Sequence, residues 1–399
     1  MLRLTDIKLP LDHDEAALTG AVLARLGIAA STLTGYTVAR RSYDARKRGA
    51  IMLIYSVDVE TPREAELLQH EARAHKTRSP IKVLPTPDTS YKFVAHAPPN
   101  LALRPIVIGT GPCGLFAGLV LAQMGFRPII LERGKAVRER TVDTFAFWRK
   151  RILDPESNVQ FGEGGAGTFS DGKLYSQISD RQHHGRKVLT EFVAAGAPEE
   201  ILYVSKPHIG TFRLVTMVEH MRATIEGLGG EFRFSSRVDD LLVELDAAGV
   251  RHVRGVRLAS GEELRADHVV IALGHSARDT FAMLQERGVF LEAKPFSLGF
   301  RIEHPQSLID QSRFGPQAGH PLLGAADYRL VHHARNGRSV YSFCMCPGGT
   351  VVAAASEPGG VVTNGMSQYS RNERNANAAI VVGITPADFA PYGDGPLAG

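Results

Sequence analysis

The first 76 residues alternate apolar and polar positions in a pattern typical of a small mixed domain. Three strand-like stretches are present, and the last two flank a polar turn at residues 45–49. Asp14 is positioned to cap the first of two amphipathic helices. These elements predict an α+β domain at residues 1–76. The predicted strands are residues 2–11, 36–44 and 50–60, and the predicted helices are residues 15–26 and 62–75.

The density of proline rises directly after this domain. Between Thr77 and Pro105 the chain contains Pro80, Pro85, Pro87, Pro98, Pro99 and Pro105. Because proline fixes φ and lacks a backbone donor, this composition favours an extended connector over a helix. We therefore predict a linker at residues 77–103.

From Arg104 onward, buried strands alternate with helices. A strand at 104–109, a helix at 112–125 and a second strand at 127–132 open the region. This order predicts a parallel, doubly wound sheet. Further on, helical periodicity recurs at 136–152, 180–195 and 211–228, short strands follow, and residues 290–384 are strand-rich and predicted to be antiparallel.

The turn after the first of these strands carries a glycine motif. In the stretch GTGPCG, the three glycines of a G-x-G-x-x-G pattern are Gly109, Gly111 and Gly114, and Pro112 lies between them. These glycines permit a tight turn, close approach of a pyrophosphate and close helix–strand packing, while helix N–H groups face the phosphates. The strand–turn–helix context predicts a dinucleotide site.

Two residues at the end of the second strand extend this site. Glu132 follows the motif by roughly 20 residues, where a carboxylate is expected to accept from an adenosine ribose hydroxyl. Arg133 is expected near the pyrophosphate or the adenosine. Together with the glycine turn, these residues define the half of the site that would hold ADP.

Later segments favour FAD over NAD as the dinucleotide. One G-x-G-x-x-G motif follows a strand, so a separate nicotinamide domain is not indicated. A strand that ends at Ala272 and Gly274 follows the antiparallel strands, an order similar to the FAD domain of two-domain flavoproteins. His275 is a candidate for facing the cofactor, with a packing role left open. By analogy with related flavoproteins, Val238 is expected to offer its backbone to the adenine.

Residues 161–174, FGEGGAGTFSDGKL, come close to a Walker A loop. Leu174 replaces the Ser or Thr that ligates magnesium, and Asp171 would lie beside phosphates, so we reject an ATP site. The stretch is expected to present backbone N–H groups to a flavin ring or pyrophosphate, and Lys173 to stabilise a reduced, anionic flavin. A tight surface loop is the alternative. The glycines of this predicted wall are Gly162, Gly164, Gly165 and Gly167.

The charge balance, the cysteine count and the histidine spacing bear on whether the protein binds nucleic acid or metal and on where it is located. The net charge of +4 comes from 46 basic and 42 acidic residues, a balance that does not indicate nucleic-acid binding. Three cysteines and a charged N-terminus without an apolar segment predict a cytoplasmic protein without a signal peptide. No histidine spacing typical of zinc is present, so no metal is expected.

Cys344 and Cys346 belong to the stretch SFCMCPGG. On a regular strand both would lie on one face with Cβ atoms about 7 Å apart. A disulfide requires about 4 Å, so the two thiols can bond only where the strand is bent. A redox dithiol and a flavin-facing or core role are both left open.

Five stretches together resemble the bacterial FAD-dependent dehydrogenase family, whose members are mostly uncharacterised. They are GTGPCGLFAGLVLAQMGFRPIILERG, VQFGEGGAGTFSDGKL, ALGHSARDTF, SFCMCPGG and NGMSQYSRNERNANAAIVV. The resemblance implies FAD, an α/β fold with a Rossmann-like FAD-binding domain at 104–289, and a β-rich substrate-side domain at 290–384 inserted into it. The resemblance names no substrate. Together with the motifs, we expect an oxidoreductase that passes a hydride or electrons through the flavin to a small-molecule substrate, with NADH or NADPH as a candidate donor.

The sequence departs from this family near Gly393 and Asp394. Two-domain flavoproteins of this kind close with a strand, a Gly-Asp turn and a glycine-rich helix, and neither the strand nor the helix is indicated here. We therefore expect residues 385–399 to be a truncated stub. Two other functions are left open. One is a flavin-dependent protein that modifies nucleic acid and docks RNA on a basic hairpin, and the other is a non-catalytic flavin or dinucleotide sensor. The basic hairpin carries Arg40, Arg41, Arg46, Lys47 and Arg48.

Overall fold

The structure is a computed structural model that describes residues 1–73, 81–176, 178–393 and 395–397. Three predicted segments extend beyond the described residues. They are the helix at 62–75, by residues 74 and 75, the linker at 77–103, by residues 77–80, and the stub at 385–399, by Asp394 and residues 398–399. The chain divides into two compact units, each assembled from separate stretches. The first unit comprises residues 1–91, 173–209 and 305–327, and the second comprises residues 92–172, 210–304 and 328–399.

The described part of the chain contains nine α-helices. They are α1 (Glu15–Leu26), α2 (Glu64–Arg73), α3 (Pro112–Gln123), α4 (Val137–Lys150), α5 (His184–Ala194), α6 (Thr211–Gly227), α7 (Arg278–Glu286), α8 (Gln306–Phe314) and α9 (Pro386–Phe389).

Seventeen strands are present in the same described ranges. They are β1 (Leu2–Pro10), β2 (Gly35–Asp44), β3 (Met52–Glu60), β4 (Lys82–Pro85), β5 (Ile106–Ile108), β6 (Ile129–Leu131), β7 (Glu231–Arg233), β8 (Val238–Leu245), β9 (Arg251–Leu258), β10 (Glu263–Arg265), β11 (Val269–Ile271), β12 (Phe296–Pro305), β13 (Val331–His333), β14 (Ser339–Cys346), β15 (Gly349–Ala353), β16 (Thr363–Ser367) and β17 (Asn375–Ile384).

The first unit is built on an antiparallel sheet with strand order β2-β3-β1-β4. Alternating residues of β1, among them Leu2 and Leu4, are fully buried, and they share a core with Val22 of α1. The predicted cap of α1 is confirmed, because Asp14 accepts a hydrogen bond from the backbone N–H of Ala17 at 2.7 Å. The predicted linker contributes β4, which pairs with β1 at the edge of the sheet.

The second unit contains a parallel sheet with strand order β11-β5-β6-β7. Val107 at its centre pairs with Val270 on one side and with Ile130 on the other. All residues of β5 and β6 are buried, as expected for parallel strands covered on both faces. The predicted strand–helix–strand opening of a parallel sheet is confirmed.

A three-stranded antiparallel sheet, β10-β9-β8, packs on the parallel sheet. Leu241 and Val256 from this small sheet share a buried cluster with Ile106 and Leu131, and Met283 of α7 completes it. The carboxyl ends of the parallel strands are therefore held on a well-packed base, which positions the loops that follow them.

The second unit also contains an antiparallel sheet of order β12-β17-β14-β13 and the hairpin β15-β16. Strand β14 is not regular, because its register against β17 shifts between Phe343 and Cys346. Cys344 has a φ of 47°, in the left-handed region. The expectation that both cysteines lie on one face of a regular strand is therefore wrong: a β-bulge at Cys344 interrupts the alternation.

The observed architecture is mixed α/β with several sheets, as predicted. The division into continuous domains at 1–76, 104–289 and 290–384 stays a prediction. Segment 290–384 also contains a helix that its strand-rich pattern did not indicate, α8, whose Phe314 is fully buried in the core of the first unit.

Candidate functional site

A cavity of about 490 Å³ lies in the second unit at the carboxyl ends of three parallel strands. The last residues of β5, β6 and β11, which are Ile108, Leu131 and Ile271, form its floor. In open parallel sheets, ligands bind beyond these strand ends. The remaining lining comes from the loops at residues 109–113, 132–133, 160–167, 236–238 and 272–277, and from the start of α7.

The turn between β5 and α3 has the geometry that its glycines predict. Gly109 has a φ of 99°, and an added Cβ there would lie 2.5 Å from the carbonyl oxygen of Ala272. A Cβ at Gly114 would lie 1.9 Å from the carbonyl oxygen of Gly109. The sequence-based explanation of these two glycines, a tight turn and close packing, is thereby confirmed. Helix α3 begins at Pro112, so its N-terminus opens at the cavity.

Glu132 is almost completely buried at the end of β6, and its carboxylate is occupied by the protein itself. One oxygen accepts from the backbone N–H and the hydroxyl of Thr110, at 2.9 and 2.5 Å. The other accepts from the N–H groups of Gly134 and Gly162, at 2.9 and 3.0 Å. Glu132 therefore ties three loops of the cavity together, and its contact with a ribose stays a prediction.

Arg133 lies beside it at the rim of the cavity. Its guanidinium lies over the ring of Phe161, 4.1 Å from the centroid, and forms hydrogen-bonded ion pairs with Glu156 and Asp279. Burial opposes its charge, but these two carboxylates outweigh burial and raise the pKa of Arg133. The predicted cation is present at the cavity, held in place by two acidic partners.

Arg140 holds the glycine-rich loop and was not recognised from the sequence. It is fully buried and donates to four backbone carbonyl oxygens between residues 158 and 165, in and directly before the glycine-rich stretch, at 2.6 to 2.8 Å. Burial lowers the pKa of Arg140 to about 10, so it remains charged at neutral pH. A signal was present, since Arg140 shares one buried face of α4 with Val137 and Thr144 at helical spacing. The carbonyl partners are Asn158, Val159, Glu163 and Gly165.

Glu163 is a second buried charged residue in this loop. Its carboxylate accepts from the backbone N–H of Val137 at 2.7 Å. Arg222 Nε lies 2.9 Å from the other oxygen, an ion pair by distance that lacks hydrogen-bond geometry. Burial raises the pKa of Glu163, although the Val137 bond and Arg222 act in the opposite direction. The start of α4 is thereby fixed to the loop.

The end of the glycine-rich stretch is anchored to the segment that follows β16. Asp171 is almost fully buried and is paired with Arg371 through two hydrogen bonds, at 3.0 and 2.5 Å. Thr211 donates to the carbonyl oxygen of Ser170, and Asn364 to that of Phe169. Two of the stretches that carry the family resemblance, the glycine-rich loop and NGMSQYSR, are thus in direct contact.

The structure brings most of the predicted cofactor residues together around one cavity. Gly114 and Gly164 are buried outside the set of lining residues. Lys173 belongs to the first unit, where its backbone bridges to His208. Contact of all these residues with a cofactor stays a prediction. The predicted cofactor residues that line the cavity are Gly109, Gly111, Pro112, Glu132, Arg133, Gly162, Gly165, Gly167, Val238, Ala272, Gly274 and His275.

Two cations of the basic hairpin in the first unit have partners within the protein. Arg46 is paired with Asp44, and Arg41 lies over the ring of Tyr203. Within the described ranges, no three His, Cys, Asp or Glu side chains are grouped to hold a metal ion. None of the helices described here combines the length and the apolarity that crossing a bilayer requires.

Comparison with known proteins gives matches at both ends of the chain and over its whole length. A family model described as FAD-dependent protein, C-terminal domain-like, matches residues 295–399, and a domain of unknown function matches residues 1–60. An uncharacterised protein of Clostridium beijerinckii is 42% identical over 402 residues, which covers 100% of this chain and 72% of that protein. A neurosporene-forming phytoene desaturase of Cereibacter sphaeroides is 54% identical over 50 residues, covering 12% of this chain and 9% of that protein.

Among solved structures, the THI4 protein of Thermovibrio ammonificans matches with a TM-score of 0.34 and 19% identity, over 48% of this chain and 66% of that one. The L-amino acid deaminase of Proteus vulgaris matches with a TM-score of 0.34 and 13% identity, over 63% of each chain. The Clostridium relative aligns over the whole of this chain, and the FAD-dependent family model matches its residues 295–399. The chain belongs to the bacterial FAD-dependent dehydrogenase family.

Proposed function

We propose that the protein is an FAD-dependent oxidoreductase and that the cavity at the ends of β5 and β6 binds the ADP half of the cofactor. The observation that carries this proposal is the turn at Gly109, from which α3 begins with its N-terminus open to the cavity. The first turn of a helix has N–H groups without intrahelical partners, and its dipole favours an anionic pyrophosphate. A cavity of about 490 Å³ is within the range of cofactor sites.

The residues around the cavity fit the ADP half of FAD in their chemistry as well as in the volume they enclose. Gly111 faces Gly165 across the cavity wall, where an added Cβ at 165 would lie 2.8 Å from the Gly111 α-carbon. Bare backbone on both sides lets a phosphate approach the N–H groups. Arg133 supplies positive charge at the rim, and Arg140 fixes the loop so that its N–H groups are oriented before the cofactor binds.

We further propose that Val238 and the segment from Ala272 to His275 contact the cofactor, and that Lys173 stabilises its reduced form. When bound, the flavin supplies a two-electron acceptor for a hydride from a reduced donor. The protein would orient the donor, exclude water and hold positive charge near the reduced ring. NADH and NADPH are the proposed donors, and a small molecule is the proposed acceptor.

The experiment is a visible absorption spectrum of the purified protein, before and after FAD is added and the sample is desalted. Retained oxidised-flavin bands that are bleached by NADH or NADPH under anaerobic conditions are the expected result. Gly111→Val should abolish retention, because the side chain enters the space reserved for the pyrophosphate. Gly35→Val is the matched control, since an added Cβ at Gly35 meets nothing within 4 Å.

Loss of flavin in both variants would point to general instability and would count against this placement. A wild-type protein that is folded by circular dichroism but retains no flavin would overturn the cofactor assignment. Retained flavin that no reduced donor bleaches would instead favour a non-catalytic flavin sensor.

A further inference from the structure

Two cysteines separated by one residue lie where strand β14 departs from regular geometry. Cys344 has a φ of 47°, and the register against β17 shifts before Cys346. A non-glycine residue in the left-handed region is uncommon, and such strain is concentrated at functional sites. Neither cysteine forms a disulfide in this structure. The bulge therefore places a strained backbone position at a pair of thiols.

The bulge brings the two cysteines into an asymmetric arrangement. Cys344 is partly exposed, whereas Cys346 is fully buried. The Cys346 thiol lies 3.4 Å from the carbonyl oxygen of Cys344. On a regular strand the two side chains would stand well apart, but here the inner sulfur reaches the backbone of the outer residue. One cysteine is thus partly exposed to a reactant, and the other is buried two residues further along the strand.

A guanidinium lies next to the inner thiol. Arg301 Nη1 donates to Asn377 Oδ1 at 2.6 Å and to the carbonyl oxygen of Cys344 at 3.3 Å. A Cβ added at Gly365 would be 2.5 Å from this nitrogen and 2.7 Å from Cys346 Sγ, so the two atoms are at most about 5 Å apart. A neighbouring guanidinium stabilises a thiolate, which is the nucleophile in disulfide exchange.

We propose that Cys344 and Cys346 are a redox-active dithiol that exchanges with small-molecule disulfides of the glutathione type. The Cys344 thiolate attacks one sulfur of the disulfide, forming a mixed disulfide and releasing the first thiolate. The Cys346 thiolate then attacks Cys344 Sγ, which forms the intrachain disulfide and releases the second thiolate. The protein gives up two electrons and two protons, and the small disulfide becomes two thiols. This activity is independent of the proposed flavin chemistry.

The test uses the full chain, equilibrated in glutathione buffers from fully reduced to fully oxidised, alkylated, and digested with trypsin. The peptide 339–371, between Arg338 and Arg371, contains both cysteines and excludes Cys113. In the reduced buffer it should carry two alkyl groups. In the oxidised buffer it should carry none and be lighter by two hydrogens. The measurement is repeated with and without FAD. A failure of the dithiol proposal can then be distinguished from a failure of the proposed flavin function.

Single substitutions separate the role of the attacking cysteine from that of the cysteine that resolves the mixed disulfide. Cys346→Ser should accumulate a stable glutathione adduct on Cys344, and Cys344→Ser should lose both the adduct and the disulfide. Arg301→Met should slow the second step by about tenfold or more, and Arg301→Lys should retain most of the rate. Arg335→Met, at an exposed arginine between β13 and β14, is the control for Arg301→Met and should exchange as the wild type does.

Two alkyl groups on this peptide from folded wild-type protein in the oxidised buffer would overturn the proposal. A mixed disulfide that never resolves in the wild type would overturn it as well. Because both results are read from the wild-type chain, they hold even if a variant fails to fold.

Discussion

The side chain of Arg140 passes directly over the α-carbon of Gly162. A Cβ added at Gly162 would lie 2.4 Å from Arg140 Cδ. Gly162 also has a φ of 115°, a backbone conformation that residues with a side chain rarely adopt. Steric exclusion and backbone conformation therefore act on the same residue, and they can be separated by experiment.

Gly162→Ala should lower the free energy of unfolding by about 3–5 kcal/mol, because backbone strain adds to displacement of a buried arginine. Gly261→Ala isolates the strain, since Gly261 has a φ of 89° but nothing within 4 Å of an added Cβ. That control should cost about 1–2 kcal/mol. Urea denaturation measures both values, and equal losses would show that contact with Arg140 contributes nothing.

Arg140→Met should lower the free energy of unfolding by about 3–5 kcal/mol, because four buried carbonyl oxygens lose their donor. Lys150→Met on the exposed end of the same helix is the control and should change stability by less than about 0.5 kcal/mol. Chemical denaturation followed by circular dichroism measures both. A stable Arg140→Met protein would mean that the loop carbonyl oxygens find other donors.

Glu163 should make stability depend on pH in the direction set by its raised pKa. A carboxyl whose pKa is higher in the folded state than its usual 4.5 binds its proton more tightly when folded. Its ionisation therefore lowers the free energy of unfolding as the pH rises from about 4.5 through the raised value. Relative to Glu163→Gln, the wild type should lose stability across this window and level off above it. If the wild type instead gains stability relative to Glu163→Gln as the pH rises, the attraction of Arg222 outweighs the effect of burial on Glu163.

Glu132→Gln should lower the free energy of unfolding by about 2–4 kcal/mol, because an amide N–H₂ would face two backbone donors. FAD retention should fall with it, since the same carboxylate positions Thr110 and Gly162 at the cavity. Glu244→Gln is the control, as Glu244 forms an exposed pair with Arg265. Isothermal titration with FAD and urea denaturation test the two effects separately. Unchanged FAD affinity in a destabilised Glu132→Gln protein would limit the residue to a structural role.

Lys173→Met should lower the midpoint potential of the bound flavin by about 30 mV or more, if Lys173 stabilises the reduced ring as proposed. Lys206→Met, which breaks an exposed pair with Asp327, is the charge-matched control. A dye-coupled reductive titration measures both potentials. Equal potentials in wild type and Lys173→Met would remove Lys173 from the flavin site.

The turn at Gly109 and the cap at Asp14 were predictable because each depends on residues close together in sequence. An apolar strand followed by spaced glycines needs only local sterics to specify a turn, and an N-cap needs one side chain and one helix start. The glycine-rich stretch at 161–174 was predicted separately from its own glycines, of which Gly162, Gly165 and Gly167 line the cavity.

The contacts of Arg140 and the bulge at Cys344 were missed for the opposite reason. The spacing of Val137, Arg140 and Thr144 indicates one helix face, but the partners of Arg140 are backbone carbonyl oxygens, which carry no residue identity in the sequence. The bulge at Cys344 depends on the register of β14 against β17, which is set by packing across the sheet. The pairing of Arg371 with Asp171 was likewise not predictable, because the two residues are 200 positions apart in the chain.

The bonds of Arg140 also bear on the order in which the chain folds. The four bonds to carbonyl oxygens close loops of only 18 to 25 residues, from α4 to residues 158–165. The pairing of β5 with β11, by contrast, joins Ile106 to Val269 and must close a far longer loop. Because loop-closure entropy disfavours distant contacts early in folding, we expect the α4–loop segment to form first. The wall of the cavity would then be in place before the sheet beneath it is complete.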